Sequence, residues 1–149
     1  SRTVVVTVGW VVSLALLPAL ANPELVGAAW PIAILFAFGM TLMRSGLMEL
    51  RDIQGDQIVG KRTLPILLGK EQTEVMLACV CAAMAVMLVS GVVNGWVASS
   101  IGIAMLVPVI ISGLGIWLYK KKIIGHSGLT EAVVDLQFIS AGIVALIVA

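Results

Sequence analysis

Five long stretches of this chain carry almost no charge, and that feature limits the fold more than any other. Residues 3–21, 26–43, 75–93 and 96–119 contain no Asp, Glu, Lys or Arg, and residues 132–149 contain a single carboxylate, Asp135. About 20 apolar residues wound as a helix cross a hydrocarbon core roughly 30 Å thick. Inside lipid the backbone must satisfy its own hydrogen bonds, which leaves helices and closed barrels. Runs this long and this uniformly apolar select helices. The expectation is an all-α polytopic transmembrane bundle forming one domain over residues 1–149, with about five spans near 3–21, 26–48, 75–93, 96–119 and 132–149. A composition of 60% hydrophobic and 11% charged residues is far from that of a soluble domain. With a net charge of only +1, nothing points to nucleic acid.

The connectors fit this reading. Asn94-Gly95 predicts a tight turn between the third and fourth spans, and Thr73 predicts the N-cap of the third. Trp96, Trp117 and Tyr119 sit where an aromatic belt would lie, and Pro108, with Gly113 and Gly115, is expected to act as a packing kink. The spacing of Gly91 and Gly95 permits close helix contact. Cys79 and Cys81, two apart, turn to different faces of a helix and read as small apolar residues. His126 has no partner in sequence and is assigned nothing, while Asp135, at the start of the last span, is expected to be solvated or dipole-stabilised. No charged leader precedes the first run, so a signal peptide is not expected, and a chain opening directly into a span reads as the later part of something longer.

Arg2, then Arg51, Lys61, Arg62 and Lys70, then Lys120, Lys121 and Lys122 fall in alternate connectors, and the connectors at 22–25 and 94–95 carry no cation. The positive-inside rule then places the N-terminus and a polar loop over 51–74 in the cytoplasm and the C-terminus outside. In a bacterial or archaeal cell the membrane would be the inner or plasma membrane.

That loop adjoins the chain's densest group of carboxylates. If the second helix continues through Glu49, Asp52 and Asp56, at about 100° per residue they share an arc of roughly 60°. Like charges so close repel unless cations neutralise them. Hard oxygen donors suit Mg²⁺, which completes its shell with water and phosphate oxygens. Lys61 and Arg62 follow five and six residues after Asp56, so carboxylates, metal and cations together would make a diphosphate clamp. Arg44 and Arg51, seven apart, face nearly the same way on the helix, and not the way the carboxylates face. A guanidinium at the depth of Arg44 needs an anion, either a ligand in a wet cavity or a carboxylate of a neighbouring helix.

Glu49-x-x-Asp52-x-x-x-Asp56, with Gly55 before the last Asp and Gly60-Lys61-Arg62-Thr63-Leu64-Pro65 after it, resembles the second acidic motif of the UbiA-type intramembrane prenyltransferases. That motif reads Asp-x-x-Asp-x-x-x-Asp, with Glu49 here in the first place, and Arg44 lies where many members carry an Arg one and a half turns earlier. The resemblance is specific from Arg44 to Glu71; elsewhere it is one of length and hydropathy. It implies a nine-helix bundle of which these spans are the last five. It further implies that two acidic motifs bind Mg²⁺ and a prenyl diphosphate, whose ionisation gives a carbocation attacked by a lipophilic acceptor in isoprenoid, quinone or lipid biosynthesis. By analogy Asp52 and Asp56 are catalytic, Glu49, Asp52 and Asp56 hold Mg²⁺, and Lys61, Arg62 and Arg44 hold diphosphate. The family's first motif, Asn-x-x-x-Asp-x-x-x-Asp, has no counterpart after Asn22 or Asn94. The chain then carries half of the site and, as an isolated segment, would not turn over; a missing N-terminal half would carry the other motif.

Two other readings compete. The CDP-alcohol phosphotransferases also use spaced aspartates on membrane helices, but their Asp-Gly-x-x-Ala-Arg opening is absent. A small multi-span transporter or cation-binding protein would place ionisable groups at mid-membrane in several spans, whereas the first, third and fourth have none.

Overall fold

The computed structural model describes residues 2–25, 27, 29–123 and 128–148. Among these there is no strand. Helix α1 (Arg2–Val11) passes through a π-helical turn (Val12–Leu16) into α2 (Leu17–Ala21), and a short 3₁₀ turn (Pro23–Leu25) follows. Then come α3 (Trp30–Ile58), the one-turn α4 (Leu64–Leu68), α5 (Lys70–Val93), α6 (Ser99–Lys120) and α7 (Leu129–Val148). By length and composition α3, α5 and α6 can each cross a membrane.

Helix α3 is the centre of the bundle, touching α1, α4, α5, α6 and α7. Its buried Met40, Met43, Leu47 and Leu50 step by three and four residues, the spacing that keeps one stripe of a helix facing its partners. They meet Leu77, Met84 and Leu88 of α5, Val109 and Ile116 of α6, and Val134 of α7. Between α3 and α5 the register is set by glycines. Gly39 lies under the Met84 side chain, a Cβ on Gly46 would stand 2.6 Å from Leu77 Cδ2, and one on Gly91 would stand 2.7 Å from Ile32 Cδ1. Each step moves seven residues forward on α3 and seven back on α5. The close approach foreseen at Gly91 is real, but its companions are Gly39 and Gly46; Gly95 has a different task. With φ +72 it closes α5, and Gly95 N and Trp96 N donate to the carbonyls of Val92 and Gly91.

The segment 51–74, expected to be a loop, is mostly helical. Nothing in Arg51 to Ile58 breaks the helix, so α3 runs on for two more turns, until Gly60 takes φ +71 and ends it. Nor does Thr73 cap α5. Gly69, at φ +94, lets the helix begin at Lys70, and the buried Thr73 hydroxyl donates back to Gly69 O at 2.8 Å. Pro108 lies inside an unbroken α6, whose Ser112 Oγ is 2.6 Å from Gln137 Oε1 on α7. Cys79 and Cys81 are free thiols, and Cys81 Sγ donates to Val109 O at 3.3 Å. His126 lies outside the described residues.

One polar tie secures the end of the core nearest the acidic motif. The buried Tyr119 hydroxyl donates to Leu50 O at 2.7 Å, and Lys70 Nζ stands 5.1 Å from the centre of its ring. Tyr119→Phe is expected to lower stability by about 1 kcal/mol. Thermal unfolding of the detergent-solubilised chain would read this as a lower midpoint; an unchanged midpoint would mean the bond contributes nothing net.

Candidate functional site

The last three turns of α3 carry Glu49, Asp52 and Asp56, and the turn that stops the helix brings cations back over them. Gly60 N donates to Gln57 O and Lys61 N to Asp56 O, the pair of bonds a left-handed glycine permits just beyond a helix end. The chain thereby reverses, and Lys61 Nζ reaches Asp56 Oδ1 at 2.8 Å. Asp56 is buried while Lys61 remains half exposed, so the pair is reachable from its cationic side.

A cleft of about 420 Å³ opens here, and all six residues singled out in the sequence line it: Arg44, Glu49, Asp52, Asp56, Lys61 and Arg62. A second cleft of about 730 Å³ adjoins it, sharing Asp52, Asp56 and Lys61 and adding Arg51 and Glu131. Arg51 holds Asp52 side-on, Nε to Oδ1 at 2.8 Å and Nη2 to Oδ2 at 3.2 Å. Glu49 is engaged differently. Its Oε2 accepts the N–H of Leu64 at 2.8 Å, fastening the first residue of α4 to α3. Thr63 occupies the capping position of α4, yet its hydroxyl makes no cap bond; it lies buried without a partner on the wall of the cleft.

The shared arc of the carboxylates is therefore present, since α3 is continuous through all three. Among the described residues, however, no three Asp, Glu, His or Cys side chains lie close enough together to hold a metal ion. The anionic groups lining the cleft, Glu49, Asp52 and Asp56, are all carboxylates, donors of the kind that suit hard cations. Asp52 and Asp56 are engaged by cations of the chain itself, and Glu49 by a backbone N–H. Arg62 makes no ion pair among the described residues.

The largest difference from the sequence reading lies on α7. Asp135 is not merely solvated: it accepts from Arg44 Nη1 at 2.8 Å, and the Arg44 guanidinium stands 5.6 Å from the centre of the Phe138 ring. One turn earlier Glu131 accepts from Arg51 Nη1 at 2.5 Å. The spacing sets the two arginines apart from the carboxylate arc on α3, but their side chains reach it all the same, Arg44 lining the cleft and Arg51 bonding Asp52, and α7 meets both. The spacing of Glu131, Asp135 and Phe138, four and then three residues, was the available signal.

A bundle of helices, three of them long and apolar enough to cross a membrane, with a cleft of paired carboxylates and cations at one end, defines the class as an integral membrane protein. The chain matches the family model described as the UbiA prenyltransferase family over residues 1–140, and it belongs to that family. No curated protein and no solved structure matches it. Membership carries with it the general activity of the family, prenyl transfer within a membrane.

Proposed function

We propose that this chain forms one wall of a Mg²⁺-dependent site that transfers an isoprenoid group from a prenyl diphosphate to an aromatic or other lipophilic acceptor. The observation that carries this reading is the convergence of three carboxylates and three cations on a single cleft at the end of an apolar bundle. Asp52 and Asp56, with Glu49, would hold Mg²⁺ on releasing Arg51, Lys61 and the Leu64 N–H, a hard cation that takes water and phosphate oxygens for the rest of its shell. When bound, Mg²⁺ neutralises charge on the leaving diphosphate. Lys61 and Arg62 reach over the same cleft and would bind diphosphate oxygens by charge-assisted hydrogen bonds as the allylic bond ionises. Arg44 lines the cleft while paired with Asp135, so its part is to add positive field from one side.

The polyprenyl tail then lies along the apolar helices, and the cleft faces the cytoplasm with the N-terminus inside and the C-terminus outside. Of the chain's eight carboxylates, Glu24 precedes α3, Glu71 and Glu74 lie in the first turns of α5, and Glu131 and Asp135 are spent on arginines. None repeats the spaced arrangement of the motif. The opposing acidic wall would come from helices other than these, and the present chain would bind donor more readily than it turns over.

The test is equilibrium binding of a labelled prenyl diphosphate to the solubilised chain, with Mg²⁺ and after chelation. Removing Mg²⁺ is expected to weaken binding by about tenfold or more, because diphosphate would then meet the three carboxylates without the metal's charge between them. Equal binding with and without Mg²⁺ would overturn the reading, and a transporter of organic ions has no reason to require the metal.

A further inference from the structure

Glu131 and Asp135 lie outside the acidic motif, yet each takes an arginine of the motif helix. Around the two clefts stand three motif carboxylates, Glu49, Asp52 and Asp56, and four cations, Arg44, Arg51, Lys61 and Arg62. Counted alone these groups sum to a positive charge, which repels a divalent cation and attracts a free anion. Adding Glu131 and Asp135 turns the sum negative. The placement is specific. Arg51 is held from both sides, by Glu131 through Nη1 and by Asp52 through Nε and Nη2, so Glu131 shares the guanidinium that would otherwise belong to Asp52 alone. Asp135 likewise draws Arg44 toward α7, where Phe138 supports it.

We propose that Glu131 and Asp135 are positioning residues that offset the arginines of α3, keeping the acidic cleft net negative so that divalent cation binds before diphosphate. This inference rests on the reading of the cleft as a cation and diphosphate site. Glu131 lines the second cleft and Asp135 neither; both would act through the arginines they hold, Arg51 and Arg44. Their removal should affect the two ligands in opposite directions, weakening the cation and strengthening the anion, whereas a simple fastening of α7 would weaken both or neither.

The experiment titrates the full solubilised chain with Mn²⁺, followed by its electron paramagnetic resonance signal, and separately with inorganic pyrophosphate in metal-free buffer. Mn²⁺ reads the site because carboxylate and water donors accept it as they accept Mg²⁺. Glu131→Gln and Asp135→Asn are each expected to weaken Mn²⁺ binding by about threefold and to tighten metal-free pyrophosphate binding by a similar factor. Glu131→Asp and Asp135→Glu keep the charge and should retain wild-type Mn²⁺ affinity. Both acceptor side chains are about half exposed, so the neutral variants are expected to fold, and their unfolding midpoints are measured alongside. Wild-type Mn²⁺ affinity in the neutral variants, or parallel loss of both ligands, would overturn the inference while leaving the site intact. A wild-type chain that binds neither Mn²⁺ nor pyrophosphate would overturn the reading of the cleft itself, and this inference with it.

Discussion

Replacing Asp52 and Asp56 together by Asn is expected to abolish Mg²⁺-dependent binding of a prenyl diphosphate, a loss on the order of 100-fold or more. Asn keeps the shape of each side chain and removes its charge, and the affinity of a hard-cation site depends strongly on how many charged ligands it has. The change also releases two cations of the protein. Lys61 loses its 2.8 Å partner, and Arg51 loses its side-on grip on position 52. The freed Lys61 would then attract diphosphate without metal, so the double variant should show weak binding that chelation no longer alters. Retention of full, chelation-sensitive binding would rule these two carboxylates out as the metal ligands. A single Glu49→Gln change should do less, because that side chain is already engaged with the N–H of Leu64.

The second large effect is on packing. Gly46→Leu should separate α3 from α5 and cost about 3 kcal/mol or more, the upper end for overfilling a close-packed interior. Even a Cβ at this position would stand 2.6 Å from Leu77 Cδ2 and 3.3 Å from Leu77 Cγ, so the neighbour cannot simply swing its tip away. The compensating pair Gly46→Leu with Leu77→Gly exchanges the two sides of the contact and should recover much of the loss, as coupled neighbours do. Gly142→Ala, which meets nothing within 4 Å, should be nearly silent. Thermal unfolding in detergent distinguishes these cases: equal midpoints for Gly46→Leu and Gly142→Ala would show that the α3–α5 crossing does not depend on glycine.

What could be read from the sequence was whatever one helix encodes by itself. Glu49, Asp52 and Asp56 share a face because three and four residues nearly complete whole turns, and that holds wherever the helix is placed. The uncharged runs announced helices for the same local reason. What escaped were matters decided between helices. Arg44 and Asp135 are 91 residues apart, and their pairing depends on how α7 is rotated against α3, which neither segment states alone. The pairing of Gly39 with Met84 and of Gly46 with Leu77 is visible as a seven-residue repeat only after α5 is known to run antiparallel to α3. Helix ends are hard to read where a polar stretch looks like a loop. Of the stretch Arg51 to Ile58, Arg51, Asp52, Gln54, Gly55 and Asp56 line the clefts, and the stretch is helical all the same.

The length of α3 has a consequence for what can reach the cleft. At 1.5 Å per residue its 29 residues extend about 43 Å, well beyond a hydrocarbon layer of about 30 Å. Glu49 comes 19 positions after Trp30, which is about 28 Å of rise. Were Trp30 to stand at one surface of a bilayer that α3 crosses, the carboxylates would emerge at the other, level with the lipid headgroups. The helix would thus work as a depth gauge. A molecule with a charged end and a long hydrocarbon chain, floating in the leaflet at its natural height, would present its head to the cleft without leaving the bilayer. A water-soluble analogue lacking the chain would have to find the same place from solution, one small opening among the headgroups, with nothing to hold it at that level.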